Sequence, residues 1–155
     1  MLFRSRKDQK SILSKTRGEN VFNGKLVIIV DNDTSSISEV VARIIQLEKR
    51  GVVIGDRTNG TTRLSTGYDY RMNTGLDSFT VYGVVIAERE LIMSDGQSLD
   101  GVGVTPDEML LPTATDLANN RDPVMSHAAE LLGVRLSPEH AGSLLKRINY
   151  TLWMK

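Results

Sequence analysis

The first sustained apolar run in the chain is Leu26-Val-Ile-Ile-Val30, in which four of five residues are β-branched, and it stops at the polar triplet Asp31-Asn-Asp33. A continuous run of that length bounded by turn residues predicts a strand buried on both faces, then a turn. From Ser36 to Arg50 the spacing changes: Ile37, Val40, Val41, Ile44 and Leu47 fall on one stripe, with Glu39, Arg43 and Glu48 off it. That is the period of an amphipathic helix. Gly51 reads as its C-terminal stop, and Val52-Val-Ile54 as a second short buried strand. Strand, helix and strand within about 30 residues form a βαβ unit, whose default is parallel pairing with a right-handed crossover.

Downstream, residues 55–75 are polar and rich in glycine, which predicts a long loop with at most one short strand. Phe79 to Ala87 is strand-like, and Glu90 to Met93 continues it after a break. Asp95-Gly96 reads as a turn, and Val102-Gly-Val104 as a short extended stretch before Pro106. Asp122-Pro123 opens a helix, with Asp as N-cap and Pro at the first helical position. Val124, Ala128, Leu131 and Leu132 form the apolar face of that helix, and Gly133 closes it. Ser137-Pro138 opens another helix, expected to run to about Arg147. The first 24 residues carry Arg4, Arg6, Lys7, Lys10, Lys15 and Arg17 against Asp8 and Glu19, with no steady apolar period. They read as a solvated basic lead-in, and residues 149–155, with Tyr150 and Trp153, as a tail that packs a last turn or frays.

Composition narrows the function classes. At 155 residues, 40% hydrophobic and 25% charged, the chain has the make-up of one globular domain. Nineteen basic residues balance nineteen acidic ones, so no net field draws nucleic acid or anionic lipid. The absence of cysteine excludes disulfides, thiolate catalysis, zinc fingers and iron–sulfur clusters. No apolar run approaches the ~20 residues of a membrane-spanning helix. The opening MLFRSRKDQK has no apolar stretch of signal-peptide length, so the sequence does not indicate a compartment.

The most informative chemistry lies at Asp33-Thr-Ser-Ser-Ile-Ser-Glu39, where a buried strand gives way to a helix. A serine there can expose its hydroxyl above the strand ends, where open α/β sheets place ligands. The helix N-terminus adds unpaired N–H groups suited to an oxyanion. Ser36-Ile-Ser-Glu39 also has the form of a capping box, so local physics leaves two roles for Ser36, cap and nucleophile. The Asp31-to-Glu39 stretch lacks the glycine and the late glutamate of a calcium loop, and the 55–60 loop lacks Walker spacing, so neither a metal nor a phosphate cradle is expected.

Three segments, Gly24 to Glu39, Val53-Ile-Gly-Asp-Arg-Thr-Asn-Gly60 and Asp95-Gly-Gln-Ser-Leu-Asp-Gly-Val-Gly-Val-Thr-Pro-Asp107, resemble three blocks of the C-terminal processing (tail-specific) protease family. Asp116-Leu-Ala to Asp122-Pro-Val124 resembles the segment that trails them. The resemblance spans roughly Arg17 to Gly133, about three-quarters of the chain. It implies a βαβ-containing, crotonase/ClpP-like α/β domain half with a mixed sheet and C-terminal helices. It also implies proteolysis by acyl transfer, without a cofactor, on a peptide or protein substrate. Family members are often extracytoplasmic. By position, Ser36 matches the nucleophile and the Ile37 N–H one oxyanion donor. Thr61 stands where the Ser–Lys branch keeps its lysine base, and the always-protonated Arg57 cannot replace it. The sequence is therefore closer to the tricorn-like branch, in which a carboxylate orients a histidine base. Asp100 matches that carboxylate where the family usually has glutamate, with Glu88 or Glu90 as substitutes. The branch's histidine and its second oxyanion segment lie upstream of the nucleophile and have no counterpart in these residues. His127 and His140 fall in expected helices with packing roles. Residues 25–148 are thus expected to be the C-terminal part of a serine-peptidase catalytic domain, partnered by an upstream half. The alternative is a non-catalytic module of the same fold that binds a peptide or partner.

Overall fold

The computed structural model describes residues 2–5, 9–11, 19 and 21–144. In chain order the elements are β1 (Leu2–Ser5), β2 (Gln9–Ser11), β3 (Val27–Val30), α1 (Ile37–Leu47), β4 (Val52–Gly55), β5 (Leu64–Asn73), β6 (Ser78–Ile92), β7 (Glu108–Met109), α2 (Ala114–Ala118), α3 (Pro123–Leu131) and α4 (Pro138–Leu144). The expected tail, the end of the last helix, Tyr150 and Trp153 lie outside the described residues.

The βαβ unit is present. β3 and β4 pair in parallel from Val27↔Val52 to Val30↔Gly55, and β7 adds on the far side of β4 in order β3-β4-β7. Ile28, Val30 and Val53 turn toward α1 and meet Val40, Ala42, Leu91, Met93, Leu99 and Val104 in the main core. Ile54 points to the opposite face by strand alternation and is fully buried on the side where α3 packs. The parallel sheet is thus held between helices on both faces.

Several expectations are corrected. Ile29 is 42% exposed, because β3 is an edge strand whose outer face opens onto a cleft rather than a packed layer. The helix buries Glu39, Val40 and Ala42, while Ile37, Val41 and Ile44 are exposed. The left-handed residue after α1 is Lys49 (φ 49°) rather than Gly51, which instead lies close to the Leu26 carbonyl. The 55–75 stretch is not mainly loop: residues 64–73 form β5, which pairs antiparallel with a 15-residue β6. Part of the expected solvated lead-in forms β1 and β2, with β1 antiparallel to the base of β6 (Leu2↔Ile92 to Ser5↔Arg89). Val102–Val104 joins no strand, and α2 was not anticipated; it starts at Thr113, whose side chain accepts from the Asp116 N–H. The mixed sheet is realised as two sheets, one parallel and one antiparallel in order β2-β1-β6-β5. The Asp122 cap is as expected, accepting from Met125 N at 2.8 Å.

Candidate active site

The turn between β3 and α1 is built first by Asp31. Its Oδ1 accepts from the Asp33 N–H, the Thr34 N–H and the Thr34 hydroxyl at 2.8 to 3.1 Å, closing a tight polar knot where the apolar strand ends. Two residues later Ser36 adopts φ 59°, ψ −127°. A residue with a Cβ is strained there by about 1–3 kcal/mol, so the surroundings must hold it. Ser36 is exposed at the N-cap of α1. Its side chain stands toward the Glu39 N–H in capping-box fashion, yet it makes no side-chain capping hydrogen bond. The next residue, Ile37, is the first helical position, so its N–H has no intrahelical acceptor. An exposed serine on a strained strand-to-helix turn beside a free backbone donor is an arrangement that presents a nucleophile.

Glu39 holds this turn. Its carboxylate is fully buried, with Oε2 accepting from Ser36 N and Thr61 N at 2.9 Å each, and Oε1 from the Thr58 hydroxyl and Gly60 N at 2.6 Å each. Four donors satisfy the carboxylate, which is the condition for burying a charge without a cation. Thr58 extends the network: its Oγ1 accepts from Val104 N at 2.7 Å, and its N–H donates to the Val104 carbonyl. Asn59 N donates to the Thr34 carbonyl at 3.0 Å, and Gly101 N to the Gly60 carbonyl at 2.7 Å. The three segments singled out in the sequence are therefore laced into one unit. Sequence reasoning placed Glu39 on the polar face of α1 and missed this role; its only local signal was an acidic residue three positions after a capping serine.

Asp100 sits in the turn whose next residue bonds Gly60, so its loop belongs to the unit that carries Ser36. Its Oδ2 accepts from Arg63 Nε at 2.6 Å, so one oxygen is already engaged by a guanidinium. Thr61 is exposed and donates its N–H to Glu39. Arg57 Nε donates to the Val102 carbonyl. Glu88 lies on the β5–β6 ribbon, bonded by Thr66 and Tyr68, and Glu90 lies in the β6 segment paired with Arg4. Neither histidine bonds the Ser36 turn. His127 Nε2 is 2.6 Å from Glu108 and its Nδ1 3.5 Å from Glu130, and the Glu108 hydrogen bond is the main cause of its raised pKa. The His140 N–H donates to Ser137 at the start of α4. Among the described residues, no cluster of acidic or histidine side chains is placed to hold a metal.

A cleft of about 550 Å³ opens beyond the C-terminal ends of β3 and β4, lined by Ile29, Asp31, Asp56, Leu117, Arg121 and Met125 among others. Neither Ser36 nor Asp100 lines this cleft, which lies beside the Ser36 turn rather than over it.

The family model for peptidase family S41 matches residues 2–110. Among curated proteins, the chain is 33% identical over 94 residues to the chloroplastic C-terminal processing peptidase of Tetradesmus obliquus, covering 59% of this chain and 18% of that protein. It is 27% identical over 104 residues to chloroplastic carboxyl-terminal-processing peptidase 1 of Arabidopsis thaliana, covering 67% of this chain and 19% of the relative. A putative tricorn protease homolog 2 of Streptomyces coelicolor is 31% identical over 114 residues, covering 72% of this chain and 9% of its own. Among solved structures, a photosystem II D1 C-terminal processing protease superposes with a TM-score of 0.57 at 28% identity, over 72% of this chain and 27% of the other. The tricorn protease superposes with a TM-score of 0.56 at 20% identity, over 70% of this chain and 10% of the other, which speaks to the fold alone. The chain spans less than a fifth of the length of these curated relatives.

Proposed function

The chain belongs to peptidase family S41, and from that we propose that it carries the nucleophile of a serine endopeptidase, with Ser36 as the attacking residue. The observation that supports this most is the backbone of Ser36 itself: a strained φ of 59° in an exposed serine, secured by the buried Glu39. A cap does not require that strain, because serine caps helices from ordinary extended backbone. In the reaction, Ser36 Oγ attacks the scissile carbonyl carbon, the carbonyl oxygen becomes an oxyanion, and the Ile37 N–H donates to it. The serine proton passes to a general base, which then protonates the leaving amine; water subsequently cleaves the acyl-enzyme.

The base and the second oxyanion donor come, in this reading, from the upstream half of the catalytic domain. By resemblance Thr61 stands where the Ser–Lys branch keeps its lysine, and the His127 imidazole is bonded to Glu108. The Asp100 oxygen that Arg63 leaves free is the group available to orient an incoming imidazole. Without the base the rate falls by about 10²–10⁴, and a missing oxyanion donor costs about 10²–10³ more. The second reading, a non-catalytic peptide- or partner-binding module, draws its support from the same Thr61 and from the Arg63–Asp100 pair.

A fluorophosphonate, which reacts with activated serines, tests the proposal on the folded chain beside Ser36→Ala. No Ser36-dependent labelling is expected from these 155 residues alone, and Ser36-dependent labelling is expected when the upstream half is supplied in trans. Labelling of the chain alone, lost in Ser36→Ala, would locate a base within it. Failure to label in both conditions would favour the binding module.

A further inference from the structure

The β5–β6 ribbon gathers its aromatic side chains on one face and its β5 polar residues on the other, and the register decides which residues share each. Thr66↔Ile86, Tyr68↔Val84 and Tyr70↔Tyr82 are cross-strand pairs, and an irregularity after Tyr70 brings Met72 opposite Phe79. Alternation along the strands puts Tyr68, Tyr70, Met72, Phe79, Tyr82, Val84 and Ile86 on one face. The hydrogen bonds from Thr66 and Tyr68 to Glu88 confirm that side, and Tyr70 and Tyr82 stack at 5.1 Å between centroids. The reverse face carries Ser65, Gly67, Asp69, Arg71 and Asn73 from β5 and Ser78, Thr80, Gly83, Val85 and Ala87 from β6, with Arg71 paired to Asp69 at 3.6 Å. Each of the seven apolar-face side chains remains about half exposed, from 46% at Met72 to 60% at Tyr82.

A two-stranded ribbon uncovered on its apolar face is marginal in water. We propose that the face formed by Tyr68, Tyr70, Met72, Phe79, Tyr82, Val84 and Ile86 is an interface that packs against the same face of a second copy of the chain. Area argues for this occupant. Seven half-exposed side chains, four of them aromatic, offer roughly 600 Å² per copy, so two copies bury about 1,200 Å², the lower edge of a specific interface. Electrostatics agrees. The charge at the margin is Glu88, bonded by Thr66 and Tyr68, with the opposite charge of Arg89 near enough to act on both Glu88 and Tyr68, so closing the face does not strand a lone ion. The central Tyr70–Tyr82 row is flanked by Tyr68–Val84 and Thr66–Ile86 toward the base and by Met72–Phe79 toward the tip. A two-fold axis through the central row sets Tyr70 and Tyr82 against their own copies and the Tyr68–Val84 pair against Met72–Phe79. The reverse face, with its Asp69–Arg71 ion pair and Val85 as its one large aliphatic side chain, stays in water.

The test is sedimentation equilibrium of the full chain with two single substitutions, each checked by circular dichroism. Tyr82→Lys puts a charge in the centre of the apolar face, whereas Val85→Lys alters a 75% exposed residue on the reverse face. Expected are a wild-type dimer with micromolar affinity, about tenfold or greater weakening by Tyr82→Lys, and no change with Val85→Lys. A wild type that stays monomeric at about 100 μM overturns the proposal, whether another part of the chain or a different protein covers the face. Equal sensitivity to both substitutions, or to neither, overturns it too.

Discussion

The Glu39 carboxylate accepts the Thr58 hydroxyl at 2.6 Å in the interior of the protein, joining the first turn of α1 to a loop 19 residues away. The same carboxylate holds Ser36 N, Gly60 N and Thr61 N, so one side chain fixes both the strained serine and the segment facing it. Replacing Glu39 with Ala leaves four donors without their acceptor. At about 1–3 kcal/mol for each buried group left unpaired, even with partial relaxation, the loss amounts to about 3 kcal/mol or more. Glu39→Gln keeps the shape, but turns an amide N–H₂ toward two of the donors, and loses about 2 kcal/mol. Urea denaturation of the two variants beside wild type measures both; an undiminished midpoint in Glu39→Ala would show that the carboxylate bears no such load.

Ser36 stores strain that glycine would not feel. At φ 59°, ψ −127°, Ser36→Gly removes the Cβ penalty and is expected to stabilise the protein by about 1 kcal/mol, after glycine's greater unfolded-state entropy is subtracted. Ser36→Ala keeps the Cβ and should leave stability nearly unchanged, because the hydroxyl makes no capping bond. Thermal melts of the pair separate the two terms. A Ser36→Ala loss of about 1 kcal/mol, the size of a missing cap, would favour the capping role instead.

What the sequence made legible follows from how local each cause was. The Ser36 turn, the Asp122 cap and the parallel pairing of residues 27–30 with 52–55 rest on neighbours in the chain, and all three are found. The rotation of α1 was not legible, because it is set by Thr58, Gly60 and Thr61, which pull Glu39 inward. At 100° per residue, Ile37 and Val41 then point roughly 160° away from Glu39, toward the outside. β5 was hidden for a related reason. Thr66, Tyr68, Tyr70 and Met72 do alternate with polar residues, but Gly67 and Asp69 read as loop punctuation until β6 supplies the partner backbone. Asp100 could be read only from its motif, and its pairing with Arg63 depends on a contact across 37 residues.

Close backbone packing between the second and third segments makes Gly103 sensitive. It has φ 71°, and a Cβ there would approach the Thr58 carbonyl oxygen to 2.3 Å, an atom that cannot swing aside. Gly103→Ala therefore combines backbone strain with a clash against the Thr58–Val104 bridge, and is expected to cost about 3 kcal/mol. Gly96→Ala is the control, since its φ of 82° meets open space and incurs the strain alone, about 1 kcal/mol. If the two losses prove equal by urea denaturation, the close approach contributes nothing.

His127 gives stability a pH dependence whose sign follows from its neighbours. The Glu108 hydrogen bond, assisted by Glu130 and opposed by desolvation, raises the imidazole pKa above its usual 6.5. A group held more basic in the folded state adds stability that is complete below the unfolded pKa and disappears as pH rises through the folded one. The stability gap between wild type and His127→Gln should therefore be largest near about pH 6 and close as the solution becomes alkaline. With the imidazole 32% exposed and Glu130 81% exposed, solvent screening limits that gap to about 1 kcal/mol or less, and added salt should shrink it. Glu108→Gln removes the principal cause and should flatten the pH dependence even with the histidine in place. Urea midpoints at several pH values read all three chains; a gap that widens as pH rises would mean that the neutral imidazole, not the imidazolium, is the form the fold prefers.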